Sequence, residues 1–564
     1  MGAKSSAVGY LAIKRQAGLD SPTGGADMTT GATGSGNPRY FLKARNLKFS
    51  QMPESTRYRE IGGGGRDIAL ELKEGITQDP EFEVFARPVV AGFLAQAMSG
   101  PSTKTYATQS FGGGQVSNGF VRRPSASTVA FPTTLAASVD AGVASITIAD
   151  IPSALPGGAG LAANDWMAIG WGPTLEFFQV NAPVTGSNVT VPIMLGPPIQ
   201  VLQYPHVKGE PVMRCKAVAW LAANTAGTAG ETLTVPTALG TAFGATRRIA
   251  IGAIQNVTAT TTSGAWGSAT LNGAEFGSCE EVDTASSTAT NIVLAAGAPG
   301  TVKNKHSAGA WVYDVGAAAD TVPTTGMIHC FEPMTSLDGE NDYFSLARAV
   351  STALFEQVCD AKSNTFSIVG EAKKPLNIKC MFPSRYGKSQ AAALTESYTN
   401  QQIADLPFLY QHGKFFVKIG TDVELSSKMF AFDFMVDNKC ALDIFTDSTT
   451  RDEVKDLARE MEISPKFYFQ SGAAYNNVIY GGSSPSNGAL PSPNMATGYI
   501  SMDFRIDDYT RMGIWIPSIT WSGFPVEVDP EPKPLTVDAK CTPLKSGNLP
   551  VFLMAVMNKE LGQY

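Results

Sequence analysis

The stretch RYREIGGGGRDIALELKEGI, residues 57–76, sets four consecutive glycines between charged neighbours. A phosphate-cradling loop, a flexible linker and a loop that must bend against a neighbour can all look like this, and each implies a different kind of protein. A P-loop needs GxxxxGK[ST], with the lysine on the phosphates and the hydroxyl on magnesium. Here Arg66, Asp67 and Ile68 follow the last glycine, so that chemistry is missing. A dinucleotide fold needs the glycines between a buried strand and a helix. DIALELKEGI instead alternates apolar and polar residues with the period of a strand.

The flanks carry the same period. YFLKARNLKFSQ (40–51) reads as one strand, and DIALELKEGITQDPEFEVFA (67–86) as a hairpin. PVVAGFLAQAMSG (88–100) has proline at its start, glycine at its end and Val89, Phe93 and Ala97 at fourfold spacing, which predicts a short amphipathic helix. Residues 1–38, rich in glycine and small polar residues, read as an N-terminal arm.

The whole chain has 564 residues, 43% of them hydrophobic and 16% charged, with 56 glycines and 35 prolines. This suits several turn-rich β modules better than helical bundles. A net charge of −7 argues against gripping nucleic acid on a basic surface, though not against a channel through which DNA slides. The seven cysteines (Cys215, Cys279, Cys330, Cys359, Cys380, Cys440, Cys541) are scattered without a C-x-x-C pair, as expected of reduced, mostly buried thiols. No apolar run suggests a signal peptide or a membrane span. MGAKSS fits the myristoylation pattern, but without a basic patch or second lipid signal no anchoring is expected.

Chemistry is sparse. Four histidines (His206, His306, His329, His412) show no metal-ligand spacing, no G-x-S-x-G elbow occurs, and the acidic residues are dispersed. Neither catalysis, nor a metal, nor a cofactor is expected.

Residues 124–325 repeat. SITIAD (145–150) answers TLTVPT (232–237), MAIG (167–170) answers IAIG (249–252), and FFQV (177–180) answers CEEV (279–282). PHVKGEPV (205–212) returns as KHSAGAWV (305–312). Four matches in one order imply two tandem β-sandwich modules, 124–222 and 223–325. The flanks repeat as well. KEGITQDPEFEVF (73–85) resembles REMEISPKFYF (459–469), and KPLNIKC (374–380) resembles KPLTVDAKC (533–541). One β unit therefore occupies 39–123 and 326–390, interrupted by the modules, and a second occupies 405–564 after a linker at 391–404.

DLPFLYQHGKFFVKIGTDVELSSKMFAFDFMVDNKCALDIFTDSTTRDEVKDLAREMEISPKFYF (405–469) resembles the major tail tube proteins of long-tailed, non-contractile bacteriophages. Pro-Phe, a short aromatic strand ending in Gly-Lys, an acidic turn, a strand running into Asp-Asn, a long polar loop and an EI-x-P-x-F-x-F strand follow in that order. GYISMDFRIDDYTRMGIWIPSITW (498–521) is similar to the family's next hairpin, and the tetraglycine region with its helix is similar to the N-terminal half of the same fold. VGYLAIKRQAGLDSPTG also looks like the start of a tail protein. The likeness covers roughly 1–123 and 326–564.

The resemblance implies a mainly β protein: two tail-tube β-barrel or sandwich units, each with a short helix, plus two inserted immunoglobulin-like modules. It implies a structural virion protein in the phage tail, assembled in the host cytoplasm. Homotrimeric, pseudo-hexameric rings would stack into a conduit for DNA delivery. Partners would be copies of itself, the tape measure protein and genomic DNA in the lumen, and the tail terminator and distal tail proteins. In such a ring, edge strands pair with the neighbour's and polar loops reach the next ring. The loop residues are Glu54, Arg57, Tyr58, Arg59, Glu60, Arg66 and Asp67 in the first unit and Asp447, Arg451, Asp452, Lys455 and Asp456 in the second. Gly62, Gly63, Gly64 and Gly65 would let the first loop bend close against its neighbour. A capsid or tail decoration or adhesin that binds the host surface through its β modules is the alternative, with a tail-associated hydrolase or a contractile-machine tube behind it.

Overall fold

Residues whose apolar side chains recur at every second position can bury one sheet face and leave the other wet, and this pattern builds most of the chain. The computed structural model describes residues 9–16, 28, 39–49, 51–58, 70–99, 109–111, 114–116, 132–150, 160–171, 174–194, 202, 204–226, 228–251, 280–296, 306, 309–317, 327–331, 333, 343–350, 354–389, 394, 406–420, 423–425, 428–444, 450–469, 471–507, 510–526, 534–545 and 551–558. The fold is mainly β, with two α-helices among the described residues.

The first part of the chain supplies β1 (Gly9–Arg15), β2 (Arg39–Leu42), β3 (Ala44–Lys48), β4 (Gln51–Tyr58), β5 (Leu70–Gln78), β6 (Glu81–Phe85) and helix α1 (Pro88–Ser99), followed by a small hairpin, β7 (Gln109–Phe111) and β8 (Gly114–Val116). The 40–51 stretch is therefore not one strand. Exposed Lys43 breaks it, so that β2 joins one sheet and β3 another. Nor do β5 and β6 pair with each other. β5 pairs with β4, whereas β6 lies between β3 and β25 (Asn377–Met381). Asp79 and Pro80 separate β5 from β6, and the tetraglycine falls in the sequence between β4 and β5. The glycines themselves lie outside the described residues.

The modules follow. The first has β9 (Pro132–Thr134), β10 (Ser145–Asp150), β11 (Trp166–Ile169), β12 (Glu176–Gln179), β13 (Ser187–Pro192) and β14 (Pro211–Arg214). The second has β15 (Val218–Trp220), β16 (Thr232–Thr234), β17 (Arg247–Ile251), β18 (Glu280–Ser287), β19 (Asn291–Leu294) and β20 (Trp311–Ala317). The order β12-β11-β14-β9 recurs as β18-β17-β20-β15, and the pair β10-β13 recurs as β16-β19. Each of the four repeated motifs falls on equivalent elements. The turn before the last strand even repeats its backbone: Gly209 (φ +90°) donates to Leu135 O, and Gly309 (φ +94°) to Leu221 O.

The remaining elements are β21 (Met327–Phe331), β22 (Phe344–Val350), β23 (Leu354–Ala361), β24 (Thr365–Glu371), β25, β26 (Tyr386–Ser389), β27 (Gly413–Ile419), β28 (Val423–Glu424), β29 (Met429–Asp437), β30 (Glu460–Tyr468), α2 (Ala473–Tyr480), β31 (Ala496–Asp507), β32 (Thr510–Gly523), β33 (Thr536–Asp538), β34 (Lys540–Pro543) and β35 (Leu553–Asn558). A five-stranded sheet runs β2-β1-β22-β23-β26. A fourteen-stranded sheet runs β28-β27-β31-β32-β34-β30-β29-β24-β25-β6-β3, with β21, β33 and β35 attached beside it. Pairings recur between the halves here too. The order β2-β1-β22-β23 matches β28-β27-β31-β32, and β3-β6-β25 matches β29-β30-β34. A helix follows β6 in one half and β30 in the other.

The halves do not have separate cores. One buried cluster takes in Phe82, Phe93, Leu346 and Phe366 together with Phe434, Ile463, Ile514 and Val556. Helix α1 packs on β21 and β24 of its own half and on β32 and β35 of the other. This explains why it is not amphipathic. Gln96 alone among its residues escapes full burial, so the fourfold spacing marks a helix surrounded by apolar neighbours.

Inside the first module, His206 is fully buried between Glu210 (2.7 Å to Nδ1) and Glu176 (3.0 Å to Nε2). Burial alone pushes the imidazole pKa down, but the two carboxylates outweigh it and raise it to about 9. The folded state thus holds this proton more tightly than the unfolded chain. Its stabilisation is complete below about pH 6.5 and is lost as pH rises through about 9. Denaturant unfolding of wild type and His206→Gln at pH 6, 7.5 and 9 should show wild type losing more stability than the variant across that window. Identical pH slopes would contradict the assignment.

Candidate assembly surface

The fourteen-stranded sheet places one continuous polar face across both halves of the chain. In β24 the residues Phe366, Ile368 and Gly370 point into the core, while Thr365, Ser367, Val369 and Glu371 point away from it. β25, β6, β29 and β30 alternate likewise. Register then lines up the outward side chains in rows. Asn46, Glu83, Lys379, Ser367, Met435 and Glu462 are opposite one another from β3 to β30. Lys48, Glu81, Met381, Thr365, Asp437 and Glu460 form the next row, and Phe85, Asn377, Val369, Asp433 and Ser464 another.

Carboxylates outnumber cations on this face, and many of the cations are paired within it. Lys48 reaches Glu81 at 2.6 Å, Lys466 reaches Asp538 at 2.7 Å, and Lys439 bridges Asp437 and Glu460 at 2.9 Å each. Asp433 sits in the middle. Crowding away from bulk water raises its pKa, Glu462 adds to the rise, and Lys379 and Lys466 oppose it. Exposed pairs of this kind contribute under about 1 kcal/mol each, so the face is a charge pattern laid on the sheet and not what holds it together.

The opposite outer surfaces are covered. In the first half, Tyr10, Ala12, Phe41, Ala347 and Ala349 pack under Met28 and Leu394, and Leu394 N donates to Tyr10 Oη at 2.7 Å. In the second half, Trp515, Leu553, Ala555 and Met557 pack under Trp171 and Tyr204 of the first module. Trp171 Nε1 donates to Asp503 Oδ1 at 3.1 Å in the same buried seam, and Lys418 meets Asp140 at 2.7 Å at its rim. Burial raises the Asp503 carboxyl to about 6 against the opposing pull of Arg511. An inserted module therefore lies on the outer side of β32 and β35 in the second half.

The loop residues expected to meet a neighbouring ring separate into three groups. Arg59, Glu60, Gly62–Gly65, Arg66, Asp67 and Asp447 lie outside the described residues. Glu54, Arg57 and Tyr58 lie on β4, opposite Gly75, Glu71 and Leu70. Arg451, Asp452, Lys455 and Asp456 belong to a segment folded back on the first half. Arg451 is buried. Its fork reaches both Asp79 oxygens at 2.5 and 3.1 Å, and it also donates to Leu442 O at 2.7 Å and Ser384 O at 3.1 Å. Asp456 lies 3.6 Å from Lys362 Nζ and accepts from Cys440 Sγ, Lys455 bridges to Ala441, and Asp452 N donates to Ile444 O. Asn438 closes the base of this segment, donating to Ser363 O at 2.8 Å and accepting from Arg459. In this chain Arg451 is thus engaged sideways, with the other half.

The polar rows were not singled out from the sequence, although the signal was present in EFEVF, NIKCM and EMEISPKFY, where every second residue is polar. The seam at Trp171 and Asp503 had no local signal, since 332 residues separate its partners. Cys215, Cys359, Cys380 and Cys541 are buried thiols and Cys440 a partly buried one, all five unbridged. Among the described residues, no group of three or more His, Cys, Asp or Glu side chains is arranged to hold a metal ion.

Arg451→Met leaves Asp79 without its partner and two carbonyls without donors, which should cost on the order of 2–4 kcal/mol in urea unfolding. Arg451→Lys, which keeps the charge and loses the fork, should fall between it and wild type. A cost for the methionine variant below about 0.5 kcal/mol, the range of ordinary surface changes, would contradict this role. Comparison with known proteins supplies no family for this chain: no protein-family model matches it, and no curated protein does either.

Proposed function

We propose that this chain is the subunit of a phage tail tube, with each copy contributing two quasi-equivalent units to a trimeric ring and the rings stacking around a bore. The observation that carries the reading is the run of sheet from β3 to β30 across both halves, apolar on its core face and patterned with charge on the other. A lumen wall for DNA needs a wet face that leans towards negative charge, so that phosphate is neither bound nor trapped. The covered surfaces and the module seated on β32 and β35 fit the outside of such a wall.

Ring closure follows from the sheet ends. Among the described residues the large sheet stops at β3, whereas β26, at the end of the five-stranded sheet, has β5 against it. Exposed edges invite pairing, and a ring of copies satisfies them. Within the chain the second half's counterpart of β3 is β29, and β29 is already paired to β24 over seven residue positions. The same ladder between chains would close the ring. The β4–β5 ribbon, carrying Arg57, Tyr58 and the tetraglycine, is then the element that reaches the next ring.

The decoration or adhesin reading loses its usual sugar platform. Trp166, Trp220 and Trp311 meet edge to face at 6.0–6.4 Å between ring centres, and Phe177 and Tyr313 complete the cluster. These rings weld the two modules together and do not face solvent as a row.

Electron microscopy of the purified full-length protein, over a range of concentrations, tests the proposal. Rings or hollow tubes are expected from wild type. A Gly62–Gly65 tetra-alanine variant should give rings that stack poorly, because alanine resists the backbone conformations glycine permits. Normal tubes from the variant would remove the tetraglycine from the mechanism. A wild-type protein that stays monomeric at every concentration and binds a glycan array would overturn the tail tube reading.

A further inference from the structure

We propose that the first module is held on the second half by a proton-linked latch centred on Asp503, clamped in mildly acidic solution and looser at neutral pH and above. The latch is internal to one chain and independent of how copies assemble. Asp503 lies on β31, directly opposite Gly513 of β32 and Lys414 of β27. A Cβ on Gly513 would lie 2.1 Å from the Trp515 ring, so the missing side chain lets that indole lie over the position opposite the carboxylate. Trp171 of the module closes the seam from its own side. Its ring meets Trp515 edge to face at 5.4 Å, and its Nε1 donates to Asp503 Oδ1 at 3.1 Å. With Trp171 in place the carboxylate is buried.

A carboxylate taken out of water needs close, charged partners, and this seam offers it little. Trp171 gives one neutral donor. Arg511 of β32, itself buried, lies 3.6 Å from Oδ2, longer than a hydrogen bond. Arg505, further along β31, adds a smaller favourable charge, and Lys414 is exposed. Against these cations stands Glu210 of the module, fully buried, whose charge works against that of Asp503. Behind Glu210, His206 and Glu176 complete the group. His206 keeps its proton up to about 9, so its charge does not change in mildly acidic to neutral solution. The rim pair of Lys418 and Asp140, which Tyr499 also meets, is a separate contact.

Burial is the largest influence on Asp503 and carries its carboxyl from the ordinary 3.8 to about 6. The docked seam therefore holds this proton more tightly than an open one in which water reaches the group. The contribution to docking is fullest below about pH 4 and is lost as pH rises through about 6. Opening that restores the ordinary value makes the open fraction rise about tenfold between pH 5 and pH 7.5.

Ala555 of β35 is buried in this seam with Trp171 and Tyr204, so an Ala555→Cys substitution in the full chain places a thiol where opening exposes it. Its alkylation by iodoacetamide is read by peptide mass spectrometry and divided by the rate of a free thiol at the same pH. The corrected rate should rise about tenfold from pH 5 to pH 7.5. Adding Asp503→Asn, which cannot ionise, should remove most of that rise. An equal rise with and without Asp503→Asn, or no rise in either, would overturn the latch. Urea unfolding of wild type and Asp503→Asn, with Ala555 in place, tests the same linkage without the cysteine. The variant should gain stability relative to wild type between pH 5 and pH 7.5, and a constant difference would overturn the proposal.

Discussion

The antiparallel ladder between β24 and β29 is the contact on which the rest of the molecule depends. It runs from Thr365 opposite Asp437 to Glu371 opposite Ala431, and it fuses two similar strand sets into one sheet. Without it the chain would be two small units, each with bare edges and half a core. With it, Phe366 and Ile368 sit opposite Val436 and Phe434 inside one continuous apolar layer. The close fit at its far end shows how tightly the strands meet. A Cβ built on Gly370 would lie 2.3 Å from the Phe432 ring, so even alanine there would force that ring out of its place.

Magnitudes separate what holds the body together from what it displays. Truncating a buried large aromatic costs about 3–5 kcal/mol, several times any exposed ion pair on the polar face. Trp311, Trp521, Phe93 and Phe177 therefore fix the architecture, whereas Lys379, Asp433 and Glu462 are left to set the charge pattern of the outer face. The modules obey the same division. Their aromatic cluster gives them a shared core, and the Trp171 seam fastens the first module to the second half, although the chain inserts the pair into the first.

Much of this was legible in residue order because strands announce themselves by period two and copies by repetition. The four motif pairs of the modules fall on equivalent strands, and the helix at Pro88–Ser99 starts at its proline and stops before Gly100. The misreadings have physical causes. A fourfold apolar spacing looks amphipathic until the other sides are covered as well: the helix packs on β21, β24, β32 and β35, and Phe93 meets Tyr40 and Phe344 of the five-stranded sheet. A run of alternating residues looks like a hairpin until Asp79 and Pro80 divert the chain to a different neighbour. Arg451 shows the limit most clearly. In a polar loop it reads as surface, and nothing local reveals that Asp79, 372 residues earlier, is waiting for it.

The most direct measurement is a cryo-electron microscopy map of the assembled protein in cross-section. The account predicts a bore walled by the Glu83–Lys379–Glu462 face, with the paired modules projecting outward over β32 and β35. A map in which the modules fill the centre, or in which that face is buried against another copy, would contradict it.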